Sequence, residues 1–147
     1  MHPLSLVIIT KNEEHNIERC IRSVPFADEV IVMDSGSTDG TVALAEKLGA
    51  RVVHQEWLGF EKQKQKVTDE AKNAWVLNLD ADECLSPELQ TEIQSLLQSE
   101  ISEEAFEIPR LAWHMGRWIR HGGWYPDCQK RLYHREKARW GGGSTRW

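Results

Sequence analysis

The run Trp75-Val76-Leu77-Asn78-Leu79, followed at once by Asp80-Ala81-Asp82-Glu83, decides how this chain is read. A short, mostly apolar run that stops abruptly at acid has the length and character of a buried strand. Two carboxylates two residues apart just past such a strand point into the crevice at its carboxyl end, where ligands bind in open α/β sheets. Carboxylates this close repel each other unless a cation or a proton is shared. Hard oxygen donors suit Mg²⁺ or Mn²⁺, which take one or two carboxylates and complete their shells with substrate phosphates. The stretch therefore points to metal-assisted chemistry on a diphosphate. A plainer alternative is an acidic turn before the helix opened by Ser86-Pro87-Glu88, since Ser then Pro is a good helix start.

Outward from this stretch, strands and helices alternate. Leu4 to Thr10 reads as a buried strand, nearly all apolar and rich in β-branched residues. Asn16 to Ser23 carries Ile17, Cys20, Ile21 and the following Val24 as a helical stripe. Val30 to Met33 is a second strand, and Thr41 to Leu48 a helix with Gly49 as its stop. Arg51 to His54 makes a short third strand, and Glu61 to Lys72 a polar, well-exposed helix. Ser86 to Ser99 is a further helix, with Leu89, Ile93, Leu96 and Leu97 on one face. The alternation predicts a parallel, twisted, Rossmann-like α/β layer with right-handed crossovers. Past Glu100 the pattern changes: Ala105 to Pro109, Leu111 to His121 and Gln129 to His134 read as strands without helices between them. Those predict an antiparallel or mixed edge forming the second wall of a cleft.

Three loops should converge above the strand ends: Thr10-Lys11-Asn12-Glu13-Glu14, Asp34-Ser35-Gly36-Ser37-Thr38-Asp39-Gly40, and Asp80-Ala81-Asp82-Glu83. Each has a bland reading of its own. Asn and early Glu after the first strand can simply cap a helix. Asp39 is read as structural, capping the helix at Thr41 and tightening the turn with Gly36 and Gly40. Asp34 has the position of the acid that takes ribose hydroxyls in dinucleotide-binding folds, but the Gly-rich fingerprint that should precede it is absent.

Composition bounds the rest. The chain has 147 residues, enough for one domain with a sizeable core. No stretch approaches the ~20 apolar residues needed to cross a bilayer. Cys20, Cys84 and Cys128 are widely spaced and not arranged as metal pairs, which fits small core residues in a reducing cytoplasm. The net charge of −5 is unevenly spread. Residues 1–100 carry 9 Lys/Arg against 18 Asp/Glu, whereas residues 101–147 carry 9 against 5 and hold five of the seven tryptophans. A basic, Trp-rich end on an acidic body suggests an anionic or amphiphilic partner at one edge, with Trp packing in a small second sheet as the alternative. No nucleic-acid motif is present and no nucleic-acid partner is expected.

Taken together, the three loops resemble the family-2 glycosyltransferases. The residues that carry the likeness are Val7 to Glu14, Val32 to Thr41 and Leu79 to Glu83. Trp124-Tyr125-Pro126-Asp127 with Arg131-Leu132-Tyr133 resembles, more narrowly, the bacterial lipopolysaccharide core β-glucosyltransferases. The resemblance implies a three-layer α/β/α nucleotide-diphospho-sugar transferase (GT-A) fold with a mixed sheet. Residues 1–100 would form the donor-binding half, and 101–147 part of the acceptor or catalytic half of the same domain. It implies a UDP-sugar donor, a lipid-linked saccharide acceptor, Mg²⁺ or Mn²⁺ as cofactor, and work at the cytoplasmic face of the inner membrane with peripheral contact there. Asp34 and Glu13 would hold the base or ribose. Asp80 would contact the ribose or the cation's water shell, and Asp82 would ligate the cation. Lys64 and Arg131 would face the donor diphosphate, or in Arg131's case an anionic acceptor. Asp127 would be the base that takes the acceptor hydroxyl's proton.

Two departures from the pattern bear on these roles. Gln65 stands where the family often has Asn after its basic residue, which leaves open a solvated helix face for Lys62, Lys64 and Lys66. Family members usually continue past the Gly-rich turn, so the ending Gly143-Ser144-Thr145-Arg146-Trp147 suggests a truncated chain. A nucleotide-binding remnant without turnover is thus an alternative. A sugar-nucleotide nucleotidyltransferase is a weaker one, because Lys11-Asn12-Glu13-Glu14 lacks the Gly-rich loop such enzymes open with.

Overall fold

The structure is a computed structural model describing residues 1–108, 113–114, 117–118 and 129–138. Strand β1 (Leu4–Thr10) is buried at all seven positions, as a central strand covered on both faces must be. Its side chains alternate between two cores. Leu4, Leu6 and Ile8 point into one, with Ile17, Cys20, Ala45, Ile93 and Leu97, while Val7 and Ile9 point into the other, with Val67, Ala71 and Tyr133.

The first core is roofed by α1 (Ile17–Arg22), α2 (Thr41–Lys47) and α4 (Pro87–Leu97). Among the described residues, α3 (Phe60–Asp69) is the helix that contributes to the second core. Between these layers lies a six-stranded sheet in the order β3 (Arg51–His54), β2 (Glu29–Asp34), β1, β4 (Trp75–Asp80), β8 (Gln129–His134), β5 (Ala105–Ile108). The first four strands run parallel, β8 is antiparallel to β4, and β5 is antiparallel to β8. The mixed α/β/α sheet read from the sequence is therefore present, and β5 and β8 belong to the same sheet as the four strands from the first hundred residues.

The strand order positions the site. From β1 the chain first winds outward through β2 to β3, then crosses back to lay β4 on the other side of β1. The loops leaving β1, β2 and β4 therefore meet at the carboxyl ends of the strands, and a crevice opens there beside the reversal of strand order. Helix α4 starts as expected: the Ser86 hydroxyl accepts from the Leu89 N–H, with Pro87 in the first turn. Gly49, at φ +93°, closes α2 in the left-handed conformation.

Two expectations need correction. The segment read as a well-exposed helix buries Gln63, Lys64, Val67 and Thr68; Lys62 and Lys66 remain on the solvated side. With so few apolar residues in α3, hydrocarbon stems and side-chain hydrogen bonds do the packing, and an apolar count misses that. The run 111–121, read as one strand, instead supplies β6 (Trp113–His114) and β7 (Arg117–Trp118), which pair with each other and not with the main sheet. Gly116 lies between them in the sequence, a residue type that interrupts strands.

Candidate active site

A cleft of about 510 Å³ opens at the carboxyl ends of β1, β2 and β4. Its wall is built from Ile9, Thr10, Lys11 and Glu13 after β1, Ser35 after β2, and Asp80, Ala81 and Asp82 after β4, with Trp57 and Phe60 along one side. Trp57 and Phe60 meet edge to face, ring centroids 4.9 Å apart, and both are exposed.

The first two loops are laced to each other. Asn12 stands at φ +54°, and its Oδ1 accepts from the Thr38 N–H at 2.8 Å. The Asn12 N–H donates to Ser37 Oγ at 2.7 Å, and the Glu13 N–H to Thr41 Oγ1 at 2.8 Å. The Gly40 N–H donates to Glu14 Oε2 at 2.9 Å, and the Glu14 N–H to Asp39 Oδ2 at 3.3 Å. Asp39 also accepts from the Thr41 N–H and hydroxyl, as a residue organising the start of α2 should. The Thr41 hydroxyl, with the backbone donors behind it, holds the Asp39 carboxyl below its ordinary value.

The acidic loop is held by buried charge. The Asp80 N–H donates to Glu83 Oε1 at 2.8 Å, and the Glu83 N–H returns to the Asp80 carbonyl at 2.9 Å. Arg131, from β8, grips the Glu83 carboxylate with two bonds of 2.7 and 3.1 Å, both side chains being 4% exposed. Arg131 Nη1 also donates to the Asn78 carbonyl at 3.3 Å. Asp80 lies between two cations: Lys64 Nζ is 3.8 Å from Oδ1 and Arg131 Nη2 3.8 Å from Oδ2. Burial pushes the Glu83 carboxyl above its ordinary value, opposed by the Arg131 guanidinium and reinforced by the charge on Asp80. Below the loop, the buried Cys20 thiol donates to the Asp80 carbonyl at 3.5 Å, and burial raises it well above the usual thiol range. Cys20 and Cys84 are both buried thiols outside any disulfide, as small core residues would be.

The residues singled out from the sequence are placed as follows. Glu13 lines the cleft and accepts from Asn16 Nδ2 at 3.0 Å. Asp80 and Asp82 line it together. Asp34 is set back behind Ser35, 4% exposed, its carboxylate accepting from the Gly36 and Ser37 N–H groups and the Ser37 hydroxyl. Lys64 and Arg131 lie beneath the acidic loop, both buried. Asp127 lies outside the described residues. Glu83 went unnoticed in the sequence as a structural element, as did the lacing by Asn12, Ser37 and Thr41. A left-handed Asn following a strand is the one local signal that could have been read.

The donor set fits a hard divalent cation that shares its ligands with a diphosphate: of the three carboxylates on the cleft wall, Asp80 and Asp82 stand two residues apart on one loop. Among the described residues no group of three acidic, His or Cys side chains could enclose a cation by itself. Thr10 also lines the wall, and its hydroxyl is buried without a hydrogen-bond partner.

Residues 5–144 match the family model described as glycosyl transferase family 2. The chain belongs to that family. It is 52% identical over 114 residues to an uncharacterized glycosyltransferase of Rickettsia bellii, covering 76% of this chain and 39% of that protein. It is 34% identical over 119 residues to the lipopolysaccharide core biosynthesis glycosyltransferase LpsC of Rhizobium meliloti, covering 78% of this chain and 44% of the relative. Among solved structures, it resembles glucosyl-3-phosphoglycerate synthase from Mycobacterium tuberculosis in complex with Mn²⁺, UDP and phosphoglyceric acid. There the TM-score is 0.55 at 30% identity, over 67% of this chain and 40% of that one. The GT-A fold expected from the motifs is thus shared with solved relatives. The chain spans about two fifths of the length of the relatives it matches. Among the described residues no helix is long and apolar enough to cross a membrane.

Proposed function

We propose that this chain carries the donor site of a metal-dependent, inverting hexosyltransferase that takes glucose from UDP-glucose to a lipid-linked saccharide of the lipopolysaccharide core type. The observation that carries the reading is the cleft at the β1–β4 switch point. Glu13 and Ser35 stand toward its β1–β2 side, and Asp80 and Asp82 toward its β4 side. At about 510 Å³ the crevice has room for a nucleotide diphosphate, with acidic groups set among apolar and aromatic ones. Two relatives support the donor and acceptor classes. The mycobacterial synthase was crystallised with UDP-glucose and Mn²⁺, and the rhizobial protein is named for lipopolysaccharide core biosynthesis.

In this reading Glu13 binds the nucleoside, with Asp34 shaping the loop beside it. Asp82, with Asp80 behind it, holds Mg²⁺ or Mn²⁺, which when bound offsets the charge of the diphosphate leaving group. Lys64 and Arg131 face the two oxygens of Asp80 from below, each at 3.8 Å. Asp127 is the proposed base for the acceptor hydroxyl. Residues 1–100 serve the donor and residues 101–147 the acceptor side. The Trp-rich, basic C-terminal third is the proposed point of peripheral contact with the cytoplasmic face of the inner membrane.

The test is calorimetric titration of UDP with and without Mn²⁺ into the chain and its Asp82→Ala variant. Wild type should bind UDP in a Mn²⁺-dependent manner, and Asp82→Ala should lose that dependence while melting normally. Equal affinity of the two proteins would reject the metal role of Asp82.

A further inference from the structure

The Glu83–Arg131 pair calls for an explanation beyond stability. Burying two charges is costly, and a well-packed apolar pair of similar volume usually holds a fold at least as well. What the pair uniquely does is fix direction. The Arg131 guanidinium reaches three residues around one strand end: the Asn78 carbonyl, the Asp80 carboxylate and the Glu83 carboxylate. Glu83 in turn accepts the Asp80 N–H, so the turn bearing Asp80 and Asp82 is tied through its backbone and its side chains to one planar group. That group comes from β8, the antiparallel neighbour of β4 and 48 residues further along the chain. Neither Arg131 nor Glu83 lines the cleft.

We propose that Arg131 and Glu83 are positioning residues: a buried brace by which β8 holds the Asp80–Asp82 turn in the orientation that receives a divalent cation and its diphosphate. The inference rests on the donor-site reading given above. A bidentate fork holds an angle as well as a distance, which a lysine in its place would not. Lys64 faces the other oxygen of Asp80 at 3.8 Å, so that carboxylate is oriented from both sides.

The test uses the full chain, with MnCl₂ and UDP as probes, and reads melting temperature alongside Mn²⁺ affinity in the presence of UDP. Three variants are compared: Glu83→Gln, Arg131→Lys, and the double variant Glu83→Leu with Arg131→Met. The double variant should keep its fold and melt near wild type, because both buried charges leave together and only the bonds to the Asp80 N–H and the Asn78 carbonyl are given up. Its Mn²⁺ affinity should nonetheless fall about 10–100-fold, the usual worth of residues that orient a metal's ligands. Arg131→Lys should retain the fold and lose affinity by a smaller factor. A folded double variant, or a folded Arg131→Lys, with affinity within about twofold of wild type would overturn the proposal, since orienting residues are worth more than that. Wild type that fails to bind Mn²⁺ with UDP would overturn the donor-site reading and this inference together; a failure confined to the variants leaves that reading standing.

Discussion

Asn12 is the place to disturb the site without touching its carboxylates. At φ +54° it occupies the left-handed region, which costs alanine about 1–2 kcal/mol and which asparagine tolerates. Its side chain supplies one of the two short bonds that Asn12 itself makes to the β2 loop, the 2.8 Å contact from the Thr38 N–H. The other, from the Asn12 N–H to Ser37 Oγ, belongs to the backbone and survives substitution. Asn12→Ala therefore loses one hydrogen bond, about 0.5–1.5 kcal/mol and toward the low end because the bond is exposed. Adding the conformational cost, about 2–3 kcal/mol of stability should go. Asn12→Gly loses the same bond without the strain, offset by about 0.4–1 kcal/mol of extra freedom in its unfolded chain. The glycine variant should thus be the more stable of the two by about 1 kcal/mol, or about 2–4 °C in Tm for a chain of this size. Urea melts followed by tryptophan fluorescence would measure the order. An alanine variant as stable as the glycine variant would refute the left-handed assignment. Because Glu13 and Ser35 flank this tie on the cleft wall, both variants should also bind UDP more weakly. Unchanged UDP affinity would mean the lacing does not position that wall.

Three further expectations follow from the same geometry. Asp39 is held below its ordinary value by the Thr41 hydroxyl, so its contribution to stability is present above about pH 4 and lost as pH falls through the lowered value. The stability gap between wild type and Asp39→Asn should accordingly be widest at neutral pH and shrink in acid, and a gap that grows on acidification would contradict the assignment. Thr68 donates its hydroxyl to the Lys64 carbonyl at 2.7 Å, so Tyr133 must be the donor in the buried 2.7 Å contact between their hydroxyls. Tyr133→Phe should cost about 1 kcal/mol in denaturant melts, and a loss above about 3 kcal/mol would mean that α3 had shifted. Asp127→Asn should retain UDP affinity and lose hexose transfer; transfer at the wild-type rate would remove Asp127 as the base.

How far the fold was legible can be seen strand by strand. β1 and β4 announce themselves as apolar runs broken by polar loops, because a central parallel strand buries both faces and leaves its polar residues nowhere but the ends. The acidic loop after β4 is legible for the same reason. Helix α3 was misjudged: Lys64 looks in the sequence like its neighbours Lys62 and Lys66, and only the packing of α3 against the sheet makes one of the three buried and opposite Asp80. The turn around Asp34 was not legible either: its carboxylate accepts from the Gly36 and Ser37 N–H groups, and Ser35 lines the cleft beside it.

What the sequence by itself determined was the order and type of the main elements and the arrival of acid at the carboxyl end of a central strand, since hydrophobic period and turn chemistry are local properties. What only the tertiary structure decided was the company those acids keep. Arg131 meets Glu83 and Asp80 because β8 lies antiparallel beside β4 in one register, Leu77 opposite Leu132. A shift of one residue would turn the guanidinium to the other face of the sheet, because side chains alternate along a strand. No residue near Asp80 in the chain encodes that register.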